Sequence, residues 1–172
     1  MKSKPLYIIA IDPASESGIV HGTSLKSCKE EVWDFRPKKA TKSRAAENKN
    51  VRFGKFYAEL EELILKSQEK HQVVIVYEST SFLKHKGKIV SEIMFGLRSL
   101  ILLLTWQYNT PYQCIEPVDL KQYATGRGNA DKTAMILAAR RYGYEGNNDN
   151  LADAYHLFAW AMDYKDRILT LS

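Results

Sequence analysis

Two short apolar runs constrain this chain more than any other feature. Leu6 to Ile11, "LYIIAI", stops at Asp12-Pro13, and Val73 to Glu78, "VVIVYE", stops on its own glutamate. Both are rich in branched residues, and neither alternates with polar ones. Runs of this length and kind read as strands buried on both faces. Buried strands need cover above and below, so helices must flank the sheet they form.

The rest of the chain supplies that cover. "SGIVHGTS" and "KEEVWDFR" are less apolar, are separated by a polar turn, and suggest an antiparallel meander. From about Val51, Phe53, Phe56, Leu60, Leu63 and Ile64 fall on one helical face. Ile89 to Tyr108 is a long apolar helix, and "PYQCIEP" reads as a third short buried strand. A short helix over Val118 to Tyr123 leads into the loop "ATGRGN". "ADKTAMILAARRYG" is an amphipathic helix stopped by Gly143, and "NDNLADAYHLFAWA" is the last helix. The order β-β-β-α-β-α-β-α-α predicts an α/β sheet with an antiparallel edge and helices on its faces. At 172 residues, with no linker or repeat, the chain is expected to be a single domain, residues 1–172.

The acids sit in unusual places. Asp12 and Glu78 end the two buried strands, and parallel strands present their ends at one sheet edge, where α/β sites form. Asp149 and Asp153 are four residues apart on the last helix and share a face with His156 and Trp160, while Leu151, Ala154 and Phe158 face away. Any one acid alone reads as a turn former or a helix cap. Four together would repel one another, and hard divalent cations relieve such repulsion. Oxygen-only ligation suits Mg²⁺ or Mn²⁺. A pair of ions ~3.5–4 Å apart activates water and stabilises the leaving oxygen in phosphodiester hydrolysis.

Charge points the same way. The net charge is +5, and basic residues cluster at Arg36–Lys55, at Lys84–Lys88, and at Lys121, Arg127 and Lys132. A lysine-rich stretch is ordinarily solvated surface. Around an acidic centre, however, basic patches draw in a polyanion that the centre itself repels. Gly126 and Gly128 would let a loop approach a phosphate, and Lys132 opens a helix whose N-terminus favours anions. Cys28 and Cys114 lack metal-ligand spacing and suit a reducing compartment. No signal-peptide core is evident, and "LRSLILLLTW" is too short to span a bilayer, so no membrane association is expected.

"IIAIDPASESGIV", "VIVYES", "DLKQYATGRGNADKTAM" and "DNLADAYHL" resemble, in order, four motifs of the RuvC-type Holliday-junction resolvases, phage-encoded members included. The resemblance spans most of the chain. It implies an RNase H-like fold, a five-stranded mixed sheet flanked by helices. It also implies a homodimer in the cytoplasm of a bacterial or phage-infected cell, nicking opposing strands of four-way DNA junctions with Mg²⁺ or Mn²⁺, two ions per site. Asp12, Glu78 and Asp153 carry over as metal ligands. The fourth ligand falls on Asp149 or Asn150 according to the spacing adopted, and Asp149 is preferred. Lys121 and Lys132 match the two lysine positions of the family and count with the acids as catalytic. Arg127, Phe82, Lys84 and Lys86 are expected to contact DNA, Phe82 as an aromatic entering the junction centre. The long apolar helix would border the dimer interface. Ala14 stands where the family has a glycine. The rival readings are a related nuclease acting on flaps or RNA–DNA hybrids, and a catalytically inactive DNA-binding module. An actin-like ATP-binding protein would need a longer chain and a second phosphate hairpin.

Overall fold

A computed structural model describes residues 4–36, 45–79 and 87–170, with the side chains of 45–49 and 170 excepted. Phe82, Lys84 and Lys86 lie outside the described residues.

The described strands are β1 (Leu6–Asp12), β2 (Glu16–Gly22), β3 (Lys29–Asp34), β4 (Gln72–Glu78) and β5 (Tyr112–Ile115). They form one sheet in the order β3-β2-β1-β4-β5. β1, β2 and β3 pair antiparallel, while β1–β4 and β4–β5 pair parallel, so the sheet is mixed. The two apolar runs are its neighbouring central strands. Their period-two alternation splits the core between the faces. Ile8, Ala10, Val74 and Val76 pack on one side with Leu120, Met135, Ala154 and Phe158. Ile9, Ile11, Ile75 and Tyr77 pack on the other with Phe56, Leu60, Ile64, Leu97 and Ile101. Hence α1 (Ala45–Gln68) and α2 (Lys88–Gln107) cover one face. The other lies under α3 (Pro117–Thr125), α4 (Lys132–Ala139) and α5 (Asp149–Asp163), with α6 (Lys165–Thr170) behind.

Several local expectations change. The first helix starts at Ala45, six residues before Val51, and takes in part of the basic stretch. β5 is an edge strand with Tyr112 exposed and only Ile115 fully buried, because its outer side has no neighbouring strand. The turn after α4 is a short 3-10 segment, Arg140–Tyr142, closed by Gly143 at φ 90°. α5 runs on to Asp163, and α6 follows as a separate turn and a half.

α2 corrects one further point. The run "LRSLILLLTW" is only its second half; the whole helix, Lys88–Gln107, is by length and composition long enough to cross a bilayer. Packing assigns one face of it to the core: Ile93, Met94, Leu97, Ile101 and Leu104 are buried against α1 and the sheet. Gly96 lets the Phe53 ring lie on α2, since a Cβ there would sit 2.7 Å from Phe53 Cε1. Opposite the buried face, Ile89, Phe95, Leu103 and Trp106 are exposed and fall within about 120° of the helix at 100° per residue.

Candidate active site

The site forms where β1 and β4 end side by side beneath the first turns of α5. Asp12 has the parity of Ile8 and Ala10, and Glu78 that of Val74 and Val76, so both carboxylates point toward α5. Asp153 comes down to meet them one turn into the helix. One carboxylate oxygen from each of Asp12, Glu78 and Asp153 lies within 4.8 Å of the other two.

What brings α5 so close is a glycine. Gly18 pairs with Asp12 in the β1–β2 register. A Cβ at Gly18 would collide with the Asn150 carbonyl and lie 2.7 Å from Leu151 N. Two asparagines then tie the helix to the sheet. Asn148, not Asp149, is the N-cap, its side chain accepting from Leu151 N at 3.0 Å while its Nδ2 donates to Glu16 Oε1 at 3.0 Å. Asn150 Nδ2 donates to the Glu16 carbonyl. Its side chain is therefore anchored on β2.

Asp149 stands at the first helical position of α5. It lies outside the three-carboxylate group and pairs with Lys132. Burial pushes the Asp149 carboxyl up, but the Lys132 ammonium and backbone N–H groups hold it below the ordinary aspartate range. Lys132 is raised, first by its hydrogen bond to Asp149 and further by the charges of Asp153 and Asp12. The Lys132 side chain is 82% exposed, and a pair in that setting is worth ~1 kcal/mol or less. Separating Lys132 from Asp149 therefore costs little.

Asp153 is the group under most stress. Its Oδ1 is buried without a hydrogen-bond partner among the described residues. Desolvation, then repulsion from Asp149, pushes its pKa up to about 7, against the opposing charges of Lys121 and Lys132. A buried carboxylate with one orphaned oxygen, on a residue that meets two other carboxylates, is the arrangement a hard cation satisfies. The donor set is all oxygen, so these residues fit Mg²⁺ or Mn²⁺.

The basic residues divide. Lys121 and Lys132 lie close enough for their charge to act on Asp153. Arg127 is exposed in the α3–α4 loop. The glycines there have local structural roles. Gly126 adopts φ 75° to close α3, and a Cβ at Gly128 would sit 2.7 Å from Val118 Cγ2. His156, predicted to share the face of the acids, is fully buried beyond them, and its Nε2 meets the Met135 carbonyl at 2.9 Å. It thereby fastens α5 to α4, the helix that Lys132 opens. In the sequence neither Gly18 nor Asn148 was singled out, and Asn150 was named only as the alternative fourth ligand. The available signal was a glycine inside a strand pattern, which marks close backbone approach.

Two solved structures of RuvC from Thermus thermophilus share this architecture. One superimposes with a TM-score of 0.66 at 20% sequence identity, covering 94% of this chain and 96% of that chain. The chain has a RuvC-type fold. The second, RuvC in complex with a Holliday junction substrate, gives 0.66 at 18% identity over the same shares. No protein-family model and no curated protein sequence matches the chain.

Proposed function

We propose that this chain is a metal-dependent endodeoxyribonuclease that resolves four-way DNA junctions by paired nicking. The observation that carries the reading is the Asp12–Glu78–Asp153 cluster, with its unpartnered Asp153 Oδ1, at a sheet edge within reach of Lys121 and Lys132. The junction bound to one RuvC structure supports the choice of substrate.

Asp12, Glu78, Asp153 and Asp149 would hold two Mg²⁺ or Mn²⁺ ions, which would supply an activated water and charge stabilisation for an in-line attack on phosphorus. With Asp149 committed to a cation, the Lys132 ammonium would be free to contact the scissile phosphate. Lys121 stabilises the charge that develops on that phosphate. Arg127, Lys84 and Lys86 contact flanking phosphates, and Phe82 stacks on unpaired bases at the junction centre. Residues 1–172 act as one nuclease domain in the cytoplasm.

Paired nicks on opposing strands need two sites related by symmetry, hence a homodimer. The exposed apolar stripe of α2, Ile89, Phe95, Leu103 and Trp106, supports that face as the interface.

The test is incubation of the purified protein with labelled junction, flap, duplex and RNA–DNA hybrid, in Mg²⁺ and in EDTA. Symmetric nicks in the junction, in Mg²⁺ only, are expected. Asp12→Asn is expected to bind the junction and leave it intact. An Asp12→Asn protein that cuts at the wild-type rate would overturn the metal assignment, and preferential cutting of hybrid or flap would overturn the substrate.

A further inference from the structure

Arg52 stands on α1, across the sheet from the acids, yet at the same edge. The helix from Arg52 down to Gln68 measures ~24 Å at 1.5 Å per residue, and β4 climbs back a similar ~20–23 Å to Glu78. The turn that leaves Asp12 carries Ser15, at most about 11 Å along the chain, and Arg52 meets it there.

The guanidinium has little to hold. Among the described residues its Nε is buried without a hydrogen-bond partner, and Nη1 makes one long contact, 3.5 Å, to Ser15 Oγ. The nearby carboxylates are engaged by another residue. Arg36 grips Asp34 with Nε at 2.8 Å from Oδ1 and Nη2 at 2.7 Å from Oδ2, and the same Nη2 reaches Glu16 Oε2 at 2.8 Å. Arg52 is left half-buried and cationic, with an unmet donor that costs stability in the free protein. A guanidinium held this loosely beside the turn that leaves Asp12 is matched in chemistry by a phosphodiester, whose two non-bridging oxygens accept from an arginine fork once Nε is uncovered.

We propose that Arg52, with the Ser15 hydroxyl beside it, clamps a backbone phosphate of the cut strand next to the scissile one. The inference rests on the nuclease reading and adds to it the path of the strand. DNA crossing the sheet edge from the α5 side meets the acids first and Arg52 after them, which fixes the direction in which the cut strand leaves.

The experiment is a neutralisation scan. Junctions carrying one methylphosphonate at successive positions around the cleavage site are titrated with wild-type protein, Arg52→Ala and Arg52→Lys, in EDTA so that binding is read without cutting. On unmodified junction, Arg52→Ala is expected to bind about tenfold more weakly and to lower the salt slope by ~1. One position adjacent to the cut should cost the wild type about tenfold and Arg52→Ala nothing further. Arg52→Lys, which keeps the charge and loses the fork, should fall between them, and it carries the test if circular dichroism shows Arg52→Ala misfolded. Identical scan profiles in wild type and variants would overturn the clamp. Junction cutting with identical profiles would overturn it alone, whereas a protein that binds no DNA in any arm would overturn the nuclease reading with it.

Discussion

Replacing Asp153 by Asn should make the metal-free protein more stable, the opposite of what removing a working residue usually does. The Asp153 carboxyl is mostly buried, its Oδ1 has no partner, and its pKa rises from 3.8 to about 7. A group whose folded pKa lies above its unfolded one favours folding only while protonated. Its contribution is complete below pH ~4 and is lost as pH rises through about 7. A rise of about three units is worth at most about 4 kcal/mol at pH 8, at 1.36 kcal/mol per unit. Water penetration and local relaxation will reduce that, so a gain of ~1–3 kcal/mol is expected for Asp153→Asn. Urea unfolding in EDTA checks it: Asp153→Asn should exceed wild type at pH 8, and the margin should fall by about half at pH 5.5. Mg²⁺ should then stabilise wild type far more than it stabilises Asp153→Asn, because the ion replaces the missing proton. An Asp153→Asn protein no more stable than wild type at pH 8 in EDTA, or equally stabilised by Mg²⁺, would refute the reasoning.

Gly18→Ala should cost ~2–4 kcal/mol by pushing the start of α5 off β2, and should abolish nicking even where the protein stays folded, read by denaturation and junction assays together. Asp149→Asn should lose nicking about as fully as Asp153→Asn, while Asn150→Ala should cost ~1 kcal/mol of stability through its lost anchor on Glu16 and leave the Mg²⁺ requirement unchanged. The reverse ranking would make Asn150 the fourth ligand. Trp106→Glu should turn a dimer into a monomer in sedimentation velocity, and a wild-type protein that sediments as a monomer with and without junction would remove the paired-nick arrangement.

The two runs that end on Asp12 and Glu78 could be recognised as central strands from composition alone, because a strand covered on both faces tolerates few polar residues. That strand ends would bring both acids to one sheet edge followed from the parallel reading, whereas their common side of the sheet needed the β1–β4 register. The helical spacing of Asp149 and Asp153 was equally plain. These are local properties: each depends on a few consecutive residues and their relation to water. The edge character of β5 was not legible, because "YQCI" reads the same whether or not another strand lies beside it. Nor could the linear chain show that Gly18, in a strand far from α5 in sequence, allows the close approach that completes the acidic cluster. The division of labour among neighbours was hidden too. Asn148 takes the cap, Asn150 holds β2, Asp149 takes Lys132, and Arg36 takes the carboxylates that would otherwise have quenched Arg52. Such pairings are settled by distances between elements, and those exist only once the two layers have packed on the sheet.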